Sequence, residues 1–213
     1  MSVYSAHWRM HFGRPDPGRT RTDVRFLTRA LPLPEFRRVL DVPCGEGRHV
    51  RALGTLGYDV MGVDNDPSVR PDVVTDMREL DSLPTGFDAV INMWASFGYF
   101  DPLTNERVLA SFARRLRAGG RIVLDLFNRA FFDAQPAEVE RELRPGIVER
   151  STLVGNRRRC ELRYDDGHVE VFEWQLYGPE ELEAIGAANG LARVLRVASD
   201  YAPTMRLVLQ RDA

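Results

Sequence analysis

Apolar residues recur along the chain in short runs, broken by glycine, proline and charged stretches, and their spacing alternates between two periods. Val24, Leu27 and Leu31 stand at helical spacing behind Thr22 and Asp23, either of which can cap a helix, so residues 22–31 are predicted helical. Pro32 and Pro34 end that helix. Residues 38–42 are a short buried strand, residues 43–47 a glycine-bearing bend. Residues 48–56 put Val50, Leu53 and Leu56 on one helix face and stop at Gly57. Residues 58–63, 72–75 and 87–93 read as the second, third and fourth strands. Residues 104–116 turn Val108, Leu109, Phe112 and Leu116 to one side of a helix that Gly119 and Gly120 break, and residues 121–127 are a fifth strand. Such alternation predicts a doubly wound α/β fold, a mostly parallel sheet covered on both faces. One crossover is short. Between the second and third strands lie little more than residues 65–70, so the helix expected there must shrink to a turn.

The pattern changes at residues 130–177. Residues 148–154, 158–164 and 168–176 read as antiparallel strands joined by Gly155-Asn156 and by Asp165-Asp166-Gly167, residues that tolerate positive φ. This predicts a small antiparallel β insert, a lid, inside one domain spanning 1–213. A helix over 179–189 capped by Gly190 and strands over 191–198 and 205–210 complete the chain.

Composition narrows the class. With 213 residues, 44% hydrophobic and 28% charged, the chain can bury a substantial core. A net charge of −2 gives no global basic field, so there is no strong nucleic-acid signal. No apolar run is long enough to span a bilayer, and residues 1–12 lack an apolar signal core, so no membrane partner and a cytoplasmic location are expected. Two cysteines in unrelated contexts, Cys44 and Cys160, suit a reducing compartment, and no Cys/His spacing suggests a metal. All 29 strongly basic side chains are arginine, which coding bias explains better than function. The oligomeric state is not legible.

The chemistry centres on Val39-Leu40-Asp41-Val42-Pro43-Cys44-Gly45-Glu46-Gly47. A buried strand ends in an acid, and two glycines without Cβ let a ligand lie against the backbone at the start of a helix. A dinucleotide fingerprint would carry a third glycine where Val50 stands, so that pattern is incomplete. The second strand ends in Asp64, about twenty residues on, where a ribose-binding carboxylate is expected. Asp76, beside Met77, follows the third strand. Each acid alone is most simply a cap or a solvated loop residue. Three acids at successive strand ends, around one glycine bend, point to a shared nucleotide crevice.

These residues resemble the first motif of class I S-adenosylmethionine-dependent methyltransferases. The likeness continues through Gly62-Val63-Asp64, Thr75-Asp76-Met77, Phe87-Asp88-Ala89-Val90-Ile91 and the run from Leu116 to Asp125, covering about residues 20–127. The resemblance implies a seven-stranded Rossmann-like sheet whose last strand is antiparallel, and S-adenosylmethionine as cofactor. Asp64 would hold the ribose hydroxyls, Asp76 and Met77 would flank the adenine, and Asp41 with Gly45 and Gly47 would cradle the amino-acid moiety. A looser likeness joins the chain to the glycine N-methyltransferase-like, small-molecule branch. It implies that Arg21 binds the cofactor carboxylate and that Tyr4 and Trp8 cover the cofactor. Pro43, Cys44, Asn65, Asn92 and Met93 complete the implied cofactor-binding set. That branch's acceptor-contacting asparagine falls at Ala95 here, and its carboxylate-gripping arginine at Phe127. A free amino-acid carboxylate would be poorly satisfied, which points to a more apolar or aromatic acceptor.

Transfer to a small-molecule methyl acceptor, at nitrogen or oxygen, is the expected reaction. Trp94, Ser96, Tyr99 and Asn128 at strand exits, with His168 and Tyr177 from the insert, are the candidate acceptor contacts. Their plainer readings are a core aromatic for Trp94, as for its neighbour Phe97, a turn cap for Ser96, a loop bond for Asn128 and a solvated hairpin residue for His168. An RNA or protein methyltransferase of the same fold, suggested only by Arg157-Arg158-Arg159, and a non-catalytic nucleotide-binding module are the alternatives.

Overall fold

The computed structural model describes residues 5–13, 16–198 and 202–212. A short helix α1 (Ala6–Phe12), capped by Ser5, precedes α2 (Pro17–Ala30). The latter starts five residues before the periodicity predicts, because Asp16 caps it and Pro17 fits its first turn. Then follow β1 (Arg38–Asp41), α3 (Arg48–Gly54) and β2 (Asp59–Asp64). A single 3₁₀ turn (Pro67–Val69) links β2 to β3 (Val73–Val74), which is the shrunken crossover the spacing predicts. Next come β4 (Phe87–Asn92), α4 (Pro102–Arg115) and β5 (Leu116–Phe127). That strand begins at Leu116 rather than at residue 121. The glycine pair does not separate helix from strand but lies inside β5, where the register to β4 shifts.

The insert holds α5 (Arg129–Asp133), β6 (Glu138–Arg144), β7 (Ile147–Val154), β8 (Arg157–Tyr164) and β9 (Val169–Gln175). The chain ends with α6 (Pro179–Ala187), β10 (Leu191–Ala198) and β11 (Thr204–Arg211).

Seven strands form one sheet in the order β10-β11-β5-β4-β1-β2-β3. β11 runs opposite to the other six, so that its pairings with β10 and β5 are antiparallel and the rest are parallel. Alternation along each strand builds a core on both faces. Leu40, Val90 and Ile122 point to one layer, Val39, Ala89 and Val123 to the other, and all six are fully buried. Each of the five larger side chains contributes about 1.5–3 kcal/mol over its exposed state, and the Ala89 methyl about 0.8 kcal/mol. The strand order reverses between β1 and β4, which opens a crevice at their carboxyl ends.

The second sheet has the order β6-β7-β8-β9, all antiparallel. Its inner face, with Tyr164, Phe172 and Trp174, packs against Trp8, Phe12, Tyr99 and Phe127. Helix α1 thus lies between the insert and the main sheet. The His7 ring centroid lies 4.2 Å from that of His168 and, edge-on, 4.4 Å from that of Tyr164, and Arg9 pairs with Asp66 after β2. Among the described residues no helix is long and apolar enough to cross a membrane.

Candidate functional site

The bend after β1 is stitched into the sheet by its backbone. Val42 N donates to Ile91 O on β4, and Cys44 N donates to Val63 O on β2, at 3.0 and 2.8 Å. Gly45 sits at φ +52°, and a Cβ there would meet no protein atom within 4 Å, so it would project into open space. Gly62 is glycine for the opposite reason: a Cβ would lie 3.0 Å from Val50 Cγ2 and 3.1 Å from Cys44 Sγ. Its bareness lets the bend and α3 close onto β2.

Asp64, ending β2, takes Gly45 N–H on Oδ2 (2.9 Å) and Asp66 N–H on Oδ1 (3.0 Å). Asp76 is held by Arg78 through two guanidinium bonds of 2.8 Å and lies 3.4 Å from Asn65 Nδ2. The Arg78 hydrogen bonds keep the Asp76 carboxyl below the usual range. Arg78 in turn lies over the Phe100 ring at 4.5 Å.

Asp41 is different. It is fully buried, and neither carboxylate oxygen has a hydrogen-bond partner among the described residues. Across the gap stands the His49 ring, whose Nδ1 lies 4.0 Å from Oδ2 and which burial keeps in its neutral form. Burial pushes the Asp41 carboxyl up to about 8, against the pull of Arg48.

Behind Asp41 runs a buried ionic network that joins α2, α3, β5 and β11. Asp23 accepts from Arg206 Nη2 at 2.6 Å and pairs with Arg48 Nη1 at 2.8 Å. His49 Nε2 lies 3.4 Å from the same carboxylate. Burial raises the Asp23 carboxyl, but the His49 hydrogen bond and the Arg48 charge outweigh it and hold the group low. Asp125 on β5 is raised by burial and faces Arg206 at 3.9 Å and Arg19 at 3.6 Å. It also takes the Trp94 backbone N–H at 3.3 Å. Trp94 and Ala95 have φ of +64° and +56°, and this left-handed pair turns the chain as it leaves β4. The Trp94 ring is flanked by Arg19 and Arg48, each 5.6 Å from its centroid, and lies 5.9 Å from the Trp8 ring.

These elements surround a cavity of about 210 Å³ at the carboxyl ends of β1, β2 and β4. Of the expected cofactor residues, Trp8, Pro43, Cys44, Gly45, Asp64, Asn65, Asp76, Met77 and Met93 line it. Asp41 lies beneath the lining and Gly47 caps α3 at φ +72°. Asn92 is buried away from the space and ties β4 to β1 by donating to Val42 O at 2.8 Å. Burial raises the Cys44 thiol, in keeping with a packing role. Arg21 is exposed on the far side of α2 and lines a separate hollow between α2 and α3, not the cavity. Tyr4 lies outside the described residues.

The candidate acceptor contacts divide in the same way. Trp94, Ser96 and Tyr99 line the cavity. Ser96 Oγ donates to Met93 O at 3.0 Å, so it also pins the turn. Asn128, His168 and Tyr177 do not line it. Asn128 caps α5, Tyr177 packs in the core 5.6 Å from Phe97, and His168 belongs to the ring cluster that seats α1. Sequence reading missed Arg9, Glu46, Arg48, His49, Asp66, Arg78 and Phe100, all of which line the cavity. Arg48-His49 directly follows the second glycine, and that placement was the available signal. Among the described residues no group of three or more His, Cys, Asp or Glu could hold a metal ion.

A family described as a methyltransferase domain matches residues 18–195. The chain belongs to that family, and it is a class I methyltransferase whose methyl donor is S-adenosylmethionine. No curated relative matches it. Among solved structures, the CcbJ methyltransferase from Streptomyces caelestis superposes with a TM-score of 0.75 at 18% identity, covering 94% of this chain and 92% of that one. The amino pentose methyltransferase CalS10 from Micromonospora echinaspora, solved with the donor bound, gives 0.72 at 24% identity over 99% and 97% of the two chains. The sugar N-methyltransferase KedS8 from Streptoalloteichus sp. gives 0.73 at 24% identity over 100% and 97%. At these identities the likeness establishes the fold.

The residues present suit the donor. The unpartnered, buried Asp41 carboxylate suits an ammonium, and the open space over Gly45 suits close approach to the backbone. The Asp64 oxygens, each with one N–H already, keep lone pairs for hydroxyls.

Proposed function

We propose that the protein methylates a small molecule, and that the acceptor atom is an amine nitrogen. The observation that carries this reading is the enclosure of the cavity. Trp8 from α1 and Trp94 and Tyr99 from the β4 exit wall it in, and the aromatic wall continues from Tyr99 to Trp174, 6.1 Å apart, and on to Phe127, 5.1 Å from Trp174. Such a wall suits a compact, partly apolar acceptor.

The donor supplies a methyl carbon made electrophilic by its sulfonium. The chain's residues orient and exclude water: Trp8, Trp94 and Tyr99 close the space, and alignment of the reactants supplies much of the acceleration. A hydroxyl acceptor would benefit from a base. Three of the lining acids are already engaged, Asp64 by two backbone N–H groups, Asp66 by Arg9 and Asp76 by Arg78, and the lining imidazole of His49 faces Asp23 at 3.4 Å. An amine, which can lose its proton to solvent before attack, fits this site better. The names of CalS10 and KedS8 are in keeping with that choice.

A nucleic-acid acceptor has no support from the Arg157-Arg158-Arg159 run. Arg157 pairs with Glu173, Arg158 with buried Glu149, and Arg159 with Glu161. A panel of small amines and matched alcohols, each incubated with isotopically labelled donor and read by mass spectrometry, tests the reading. Label in amines alone is the expected result; label in alcohols alone, or in RNA, would overturn it.

A further inference from the structure

Arg48 is the first residue of α3, directly after the glycine bend. Its side chain lines the cofactor cavity and also the hollow between α2 and α3. One end of its guanidinium is fixed: Nη1 lies 2.8 Å from Asp23 Oδ2 and 3.2 Å from Thr20 Oγ1. Asp23 is itself held by Arg206, so this end cannot easily swing. The other nitrogen, Nη2, is buried and has no hydrogen-bond partner among the described residues. A buried donor left without a partner is costly, and one on a charged group more so. A guanidinium is a planar fork whose free edge matches a carboxylate.

Of the other arginines that line the cavity, Arg9 pairs with Asp66 and Arg78 is doubly bonded to Asp76, while Arg51 is solvent-exposed and donates from Nη1 to the Glu46 carbonyl. Close by, Asp41 presents the complementary orphan, a buried carboxylate with no partner. An unpartnered acid just beneath the cavity lining and an unpartnered guanidinium nitrogen on a lining residue match the ammonium and the carboxylate of an α-amino acid. Helix phase excludes the arginine that the resemblance suggests. Asp23 and Leu27 are buried on the inner stripe of α2, and Arg21 lies two residues off that stripe, on the exposed side.

We propose that Arg48, rather than Arg21, takes the carboxylate of the donor's amino-acid portion, with Asp23 as the positioning residue that aims it. The inference rests on S-adenosylmethionine as donor. Two ligands separate Arg48's role in binding from a role in folding: S-adenosylhomocysteine, which carries the amino-acid portion, and 5′-methylthioadenosine, which lacks it.

Titration calorimetry with both ligands on the wild type, Arg48→Gln, Arg48→Lys and Arg21→Gln is the test. Arg48→Gln should weaken S-adenosylhomocysteine about ten- to a hundredfold and leave 5′-methylthioadenosine unchanged. Arg48→Lys keeps the charge beside Asp23 but loses the fork. It should show the same selective loss in a smaller amount, and it keeps the test alive if the glutamine variant fails to fold. Arg21→Gln should bind both ligands like the wild type. Equal loss of both ligands in the Arg48 variants, no loss in either, or a selective loss in Arg21→Gln would overturn the assignment. A wild type that binds neither ligand would instead overturn the donor.

Discussion

Gly45 N–H donates to Asp64 Oδ2 at 2.9 Å, so the bare bend after β1 and the acid that ends β2 form one unit. Asp64 also takes the N–H of Asp66, whose carboxylate reaches α1 through Arg9. One carboxylate thus fixes the floor of the cavity and the anchor of its cover. Asp64→Ala should abolish detectable donor binding and leave two backbone N–H groups short of a partner, costing about 1–3 kcal/mol of stability. Calorimetry and thermal unfolding on the same preparation check both effects.

The two glycines of the site should fail differently. Gly45→Ala puts a methyl into open space at φ +52°, so the fold should survive with a penalty of about 1–2 kcal/mol while donor binding falls sharply. Gly62→Ala forces a methyl against Val50 and Cys44, and its main effect should be on stability, about 1–3 kcal/mol. Unfolding curves paired with binding isotherms separate the two outcomes. If both variants lost only stability, the open space over Gly45 would not be a ligand site.

Asp41 gives a pH signature. Its carboxyl is raised by burial from 3.8 to about 8 in the folded protein, so the folded state holds this proton more tightly than the unfolded chain does. The stability this contributes is complete below about pH 4 and is lost as pH rises toward 8. Asp41→Asn removes that dependence. The difference in unfolding free energy between wild type and Asp41→Asn, measured in urea from pH 5 to 8.5, should therefore grow with pH in favour of the variant. A difference independent of pH would show that Asp41 is already ionised or already paired.

In the lid, Arg158 and Arg159 are adjacent yet should behave differently. Arg158 is buried, paired with Glu149 and packed 4.8 Å from the Phe132 ring and 5.4 Å from the Trp174 ring. Arg158→Ala leaves a buried carboxylate whose remaining charged partner, Arg141, is largely exposed and whose other donor is only the Cys160 thiol, and should cost about 3 kcal/mol or more. Arg159→Ala, in a solvent-facing pair with Glu161, should leave the unfolding midpoint unchanged. Urea unfolding of both variants is the check.

The sheet and its glycine bend were legible because both follow from local rules. Buried parallel strands read as short apolar runs, and a backbone that must admit a ligand reads as glycine. Strand β6 was not legible: its sequence, Glu138-Val139-Glu140-Arg141-Glu142-Leu143-Arg144, is nearly all charged because it is an exposed edge. Arg21 stands outside the cavity because α2, capped by Asp16 and opened by Pro17, runs back through it, and on that helix Arg21 falls off the buried stripe of Asp23 and Leu27. The roles of Asp23, Asp125 and Arg206 depend on contacts between distant segments, which periodicity does not carry. His168 and Tyr177 had chemistry suited to a site, but the insert folds one onto α1 and the other into the core.

A crystal structure with S-adenosylhomocysteine bound tests the central claim most directly. The ribose hydroxyls should lie on Asp64, the ammonium on Asp41 and the carboxylate on Arg48, with the sulfur facing the space beside Trp94 and Tyr99. Density for the ligand away from the carboxyl ends of β1 and β2, or an Asp64 carboxylate that touches no part of it, would contradict the account.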